Sequence, residues 1–153
     1  MAKNDILLKV GTYAFIIGII IALLVGIVHA STMEAALNED DPAKKEDLKN
    51  DIFFKTDNGG MAAWALAVIG AIIGILAVLG KGTITAKETP GFLLAGIGLL
   101  IMGSVFWGVQ ADYQMTPWIG SLLVGISVSL SIFVAPAVGL LAIKAIWDMG
   151  KDV

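Results

Sequence analysis

The chain has no cysteine, no arginine and a single histidine in its 153 residues. Without cysteine it has no disulfide, no thiolate nucleophile and no cysteine-ligated zinc or iron–sulfur centre. One imidazole is too few for bis-histidine haem ligation. Ser31, next to His29, is badly placed for a Ser-His-Asp triad, because adjacent side chains on a helix do not face each other. We therefore expect no cofactor and no enzymatic activity.

Positive charge is also scarce. The chain carries 10 lysines against 13 acidic residues, which gives a formal net charge of -3. A nucleic-acid-binding protein needs a basic patch that neutralises phosphates, and no such cluster is present. Nucleic acid is therefore excluded as an expected partner.

Charged residues are absent from four long stretches, at residues 10–33, 58–80, 89–111 and 113–143. Each exceeds the roughly 20 residues that a helix needs to cross the hydrocarbon core of a bilayer. The sequence predicts an all-α integral membrane protein: a four-helix transmembrane bundle, with residues 1–153 as one domain. The expected spans are about 10–30, 61–80, 91–111 and 117–144, and residues 31–60 form the first outer loop. The first apolar stretch is longer than a secretory signal core, so we expect it to be retained.

Lysine placement predicts the orientation of these spans, since short cytoplasmic loops are enriched in basic residues. Cytoplasmic termini place six lysines inside: Lys3, Lys9, Lys81, Lys87, Lys144 and Lys151. The other four, within residues 44–55, stand among many acidic side chains. Trp64, Trp107, Tyr113 and Trp118 would then form an outer aromatic belt. We expect a cell-membrane protein, surrounded by membrane lipid, with both termini in the cytoplasm.

Polar segments mark several helix starts. Thr89-Pro90 and Thr116-Pro117 each place a capping hydroxyl before a proline at the first helical position. Asp41-Pro42 gives the same signal and predicts a short extramembrane helix in the first outer loop. The apolar run at residues 52–54 is expected either to dip into the membrane interface or to cover the mouth of the bundle.

Small residues recur at helical spacing and predict close helix packing. Such residues let two backbones approach, so that dispersion contacts replace the hydrophobic drive that lipid cannot supply. The expected packing positions are Ala14, Gly18, Ala22, Gly26, Gly70, Gly74, Gly125, Ser127, Ser131 and Gly139. Three interpretations remain open: the rows join helices of one chain, the row of the first span faces another subunit, or the serines of the fourth span line an aqueous path.

Pro136 lies inside the fourth span, where its ring removes a backbone hydrogen bond and favours a kink. The kink is either static or a hinge. Ser129 or Ser131 is expected to help satisfy the backbone groups that the proline frees.

A metal site is the remaining chemical possibility. His29 is either an interfacial polar side chain or a ligand together with Glu34. Two acidic groups, Glu39-Asp40-Asp41 and Asp57, are either a solvated face or a site for a divalent cation, although they match no EF-hand spacing.

The sequence favours a non-enzymatic tetraspan protein that serves as a homo-oligomeric or accessory subunit of a membrane complex. Few ionisable residues lie at bilayer depth, where coupled transporters and pumps usually keep them. The alternative is an oligomeric pore or passive transport protein built around the fourth span.

Overall fold

A computed structural model describes residues 2–82, 84–113 and 118–151 and shows an all-helical chain. The described residues form five α-helices: α1 (Ala2–Leu37), α2 (Pro42–Asn50), α3 (Asp57–Val78), α4 (Thr89–Tyr113) and α5 (Ile119–Lys151). A 3-10 turn, Phe53–Lys55, connects α2 to α3. Four segments are long and apolar enough to cross a membrane: Leu8–Leu37, Asp57–Val78, Thr89–Val109 and Ile119–Lys151. The chain is therefore membrane-embedded by length and composition.

Helix α1 runs seven residues further than the expected span and includes the first part of the predicted loop 31–60. The hydroxyls of Ser31 and Thr32 do not end it, because they donate to the carbonyls of Val28 and His29 in the preceding turn. Ala36 is fully buried. Tertiary burial of this last part therefore favours helix over loop.

The short helix α2 begins as its sequence predicts. The carboxylate of Asp41 accepts a hydrogen bond from the backbone N–H of Ala43 (3.0 Å), and Pro42 occupies the first turn. The segment after α2 turns back onto α1, where Ile52 is buried with Met33, Ala36 and Val124. Ile52 therefore packs against both α1 and α5, and the two expectations for residues 52–54 stay predictions.

Two loops bound the remaining long helices. Helix α3 ends in a Schellman motif: Gly80 has a φ of 66°, and Lys81 N–H donates to the Leu76 carbonyl (2.9 Å). Before α4, the Thr85 N–H and hydroxyl both donate to the Glu88 carboxylate, which lowers the pKa of Glu88. Thr89 is not the expected cap, since its hydroxyl donates to the Thr85 carbonyl. The Thr116-Pro117 signal lies outside the described residues.

Helix α5 is the central element, because it packs against α1, α3 and α4. Its buried side chains Phe133, Val138 and Leu141 form one apolar core with Leu66 and Ile73 of α3. Helix α4 packs chiefly on α5 and keeps much of its surface free. Helix α5, which carries most of the serines, is therefore also the most buried of the four candidate spans.

Candidate functional site

Several polar side chains of the described residues lie where α1 meets α5 and the 52–59 segment. His29, on α1, has 1% of its surface exposed. Its ring lies 4.5 Å from the ring of Phe54 and 6.4 Å from that of Trp107, centroid to centroid. The Phe54 N–H points at its Nδ1 over a long 3.5 Å, and its Nε2 has no hydrogen-bond partner among the described residues. His29 is therefore a buried ring between aromatic neighbours.

Backbone contacts hold the 52–59 segment against α1. The Phe53 N–H donates to Thr32 Oγ1 (3.0 Å), and that hydroxyl donates to the His29 carbonyl (3.0 Å). Thr56 then caps α3 by accepting the Gly59 N–H (3.1 Å). A Cβ on Gly59 would overlap the backbone of Phe53. The chain thus enters α3 through a closely fitted turn.

Glu34 joins the end of α1 to the start of α5. One carboxylate oxygen accepts the Ser121 hydroxyl (2.5 Å), and the other accepts the side-chain amide of Asn38 (2.9 Å) and the backbone N–H of Trp118 (3.2 Å). A carboxylate in this position satisfies a free donor at a helix N-terminus and faces the positive end of the helix dipole. Trp118 has a φ of 62°, which is costly for a residue with a side chain. Glu34 therefore helps to fix the start of α5.

We expect Glu34→Ala to lower the free energy of unfolding by about 1–2 kcal/mol, the usual range for a lost cap or a charged hydrogen bond. Thermal unfolding in mild detergent measures the loss. Glu46→Ala is the control, because Glu46 is an exposed carboxylate on α2. Equal stability of the two variants would contradict the capping role.

The predicted metal ligands are not assembled into a site. Glu34 is engaged by Ser121, Asn38 and Trp118. Asp41 caps α2, and Glu39 accepts the Asp41 N–H (3.2 Å). Asp40 and Asp57 are exposed. Within the described ranges, no group of three or more His, Asp or Glu side chains could hold a metal ion.

The small-residue row of α1 lies against α5 of the same chain. Gly26 faces the backbone of α5: a Cβ there would come within 2.8 Å of the Gly125 carbonyl oxygen and of Ile126 Cα. Gly18 faces the ring of Phe133. Ala22 and Ala30 are fully buried, and Ala14 is half-buried. The expectation that this row faces another subunit is therefore wrong, because α5 already occupies it.

On its other side α5 meets α3 and α4. A Cβ on Gly70 would overlap the Phe133 carbonyl, and one on Gly74 would lie 2.7 Å from Ala137 Cα. Ser127 is 2% exposed, and Ser131 donates its hydroxyl to the Leu99 carbonyl of α4 (3.0 Å). Gly139 differs from the other expected packing positions, since no heavy atom lies within 4 Å of its added Cβ.

Pro136 is accommodated without a break, because α5 continues as one helix from Ile119 to Lys151. The expected help from the serines is wrong. Ser129 donates to the Gly125 carbonyl and Ser131 to the Leu99 carbonyl, so neither hydroxyl is directed to the Ile132 carbonyl that the proline leaves without its N–H.

Sequence reasoning missed the partners of Glu34 and the aromatic neighbours of His29. Ser121 is 87 residues from Glu34, and Phe54 is 25 residues from His29. No local spacing pattern connects positions so far apart. The one available signal was Glu34 itself, a carboxylate at the end of an apolar span, where an unpaired charge is costly.

Three comparisons provide no relative from which a role could be transferred. Neither the protein-family models, nor the curated proteins, nor the solved structures contain a match to this chain.

Proposed function

We propose that this chain is a non-enzymatic tetraspan protein that acts as a homo-oligomeric or accessory subunit of a membrane complex. Its four apolar helices would form one transmembrane bundle, with α2 outside the membrane. The observation that carries the proposal is the open face of α4. Gly91 and Gly98, seven residues apart on that face, have no heavy atom within 4 Å of an added Cβ.

Glycine on a lipid-facing helix surface brings no packing benefit, and it costs about 1 kcal/mol relative to alanine within a helix. That cost is offset where a second helix approaches closely. Leu94 and Ile101 flank the two glycines and are 72% and 57% exposed. A face with glycines between large apolar side chains fits the groove-and-ridge surface of a helix–helix contact. Helix α4 is therefore the proposed contact to another subunit.

The alternative, a pore around α5, has less support. Three helices surround α5, and the Ser129 and Ser131 hydroxyls are used by the Gly125 and Leu99 carbonyls. A conducting path instead needs polar groups that face water and replace the hydration of the solute. Phe133 and Leu141 of α5 instead belong to the apolar core, which favours a packing role for this helix.

We expect the protein, purified in mild detergent, to show a defined oligomer or a co-purifying chain by native mass spectrometry. Gly98→Leu should reduce that assembly, because the added side chain would hold a second backbone away. Ile20→Phe is the control, since Ile20 is exposed on α1. Planar bilayers containing the protein should show no unitary conductance. Reproducible currents that Ser131→Val alters, or a strictly monomeric protein without partners, would contradict the proposal.

The orientation is proposed from the lysines, with both termini in the cytoplasm of a cell-membrane protein. Glu46 lies in the segment before α3 and Lys87 in the segment after it, so the two positions belong to opposite ends of that helix. Since the chain has no cysteine of its own, an impermeant maleimide should label Glu46→Cys in intact cells and spare Lys87→Cys. The reverse labelling pattern would invert the orientation.

A further inference from the structure

A pocket lies between the end of α1, the α2 segment and α4. Its apolar lining is Met33, Ala36, Leu37, Ile52 and Trp107, and its polar lining is three lysines, Lys45, Lys49 and Lys55. The pocket measures about 260 Å³. We call it the lysine pocket. An apolar interior with a cationic border matches a ligand that is apolar at one end and anionic at the other.

Its cationic side is built by the fold and not by overall charge. Lys45 and Lys49 are one helical turn apart on α2 and therefore share a face, together with half-buried Leu48. The acidic side chains of the same helix, Glu46 and Asp47, are exposed and do not line the pocket. Although the chain is acidic overall, this face of α2 presents positive charge to the pocket.

The ammonium groups keep capacity for an anion. Lys45 donates one hydrogen bond to the Leu37 carbonyl at the end of α1 (3.0 Å), and its ammonium has three donors. Lys49 and Lys55 form no ion pair with a carboxylate among the described residues. An anion placed between the lysines would therefore neutralise charge that the protein itself leaves unpaired.

The boundary between apolar and charged residues crosses this pocket. Met33, Ala36 and Leu37 end the first membrane-spanning segment, and Trp107 is two residues before the end of the third. The lysines belong to the connection between the first and second segments. A phospholipid has its phosphate and glycerol at this level, with acyl chains on the apolar side, and a lysine at such a boundary lays its stem on apolar surface while its ammonium reaches the polar groups.

We propose that the lysine pocket binds the head group of an anionic phospholipid, with the phosphate at the lysines and the start of the acyl chains over Met33, Ile52 and Trp107. The acyl chains would extend from the pocket into the surrounding bilayer. The α4 face with Gly91 and Gly98 does not line this pocket. Either proposal can therefore fail without the other.

Native mass spectrometry of the full-length protein in mild detergent tests the site. Phosphatidylglycerol should be retained more strongly than phosphatidylcholine with the same acyl chains. A Lys49→Gln, Lys55→Gln double variant should weaken phosphatidylglycerol binding by about tenfold or more, because it removes two of the three cationic groups that line the pocket. Lys45 is left intact because it also caps α1.

The matched control is a Lys44→Gln, Lys81→Gln double variant, which removes the same charge from two exposed positions outside the pocket. It should retain phosphatidylglycerol as the unchanged protein does. Equal retention of the two lipids, or equal loss in both double variants, would overturn the proposal. So would displacement of the lipid by inorganic phosphate, because a free-anion site does not need the apolar lining. A thermal melt of each variant confirms that it is folded before binding is compared.

Discussion

Gly26→Leu is expected to prevent stable folding. A Cβ at this position would come within 2.8 Å of both the Gly125 carbonyl oxygen and Ile126 Cα, so the obstacle is backbone on the facing helix. A flexible side chain can rotate away from an added group, whereas a helix backbone must move as a unit. Overpacking in a well-packed core costs about 1–3 kcal/mol or more, and separation of α1 from α5 would also remove their shared contacts.

Gly139→Leu is the matched control, because it makes the same chemical change in a membrane helix where no heavy atom lies within 4 Å. Its free energy of unfolding should equal that of the unchanged protein or be slightly higher, since leucine is a better helix former than glycine. Unfolding in mixed micelles of mild detergent and dodecyl sulfate gives both free energies. Equal tolerance of the two substitutions would mean that α1 and α5 do not pack as the structure shows.

The second large effect concerns Phe133, which fills the space between α1 and α3. Its ring lies 5.9 Å from the ring of Phe15, centroid to centroid, and against Gly18, while its backbone carbonyl meets Gly70. Only 1% of the residue is exposed. Phe133→Ala should therefore destabilise the protein by about 3 kcal/mol or more, because the removed ring leaves a cavity that rigid helices cannot close.

Gly18→Leu should also destabilise, since the new side chain would overlap the Phe133 ring. Combined with Phe133→Ala, however, the leucine would enter the space that the ring has left. We expect the double variant to be more stable than the sum of the two losses predicts, by about 1 kcal/mol or more. Measured free energies of unfolding of the four proteins close this cycle.

Ile143→Ala provides the comparison for that cycle. Ile143 is 67% exposed on α5 and belongs to neither core cluster. Paired with Gly18→Leu, it should add its effect independently, within about 0.5 kcal/mol. If Gly18→Leu and Phe133→Ala are equally additive, the ring and the glycine do not share one space, and the packing argument fails.

Local rules predicted helix starts only where the polar group had no competing partner. Asp41 caps α2 as expected, because its carboxylate and the following Pro42 act within one turn. Thr89 does not cap α4, because it is already the first residue of the helix and its hydroxyl donates to the Thr85 carbonyl. The serines near Pro136 failed as predicted partners for the same reason: Ser131 reaches Leu99 on another helix.

For the candidate site, the sequence predicted which residues matter but not what they contact. The sequence identifies His29 and Glu34 as the two ionisable residues near the end of the first span. It does not indicate that Glu34 binds the start of α5 or that His29 is enclosed by Phe54 and Trp107. Those contacts depend on how whole helices pack against each other, which no spacing along the chain encodes.

The sequence by itself determined the solvent and the number of spans. A long stretch without charge can satisfy its backbone in lipid only as a helix, so composition and length decide that question locally. Only the tertiary structure decided which faces meet. Small residues allow a close approach from any helix, and the structure places α5 against Gly26, Gly70 and Gly103 of three different helices while Gly98 stays open. The physical reason is that packing in lipid depends on the mutual fit of distant surfaces, whereas insertion depends on each segment alone.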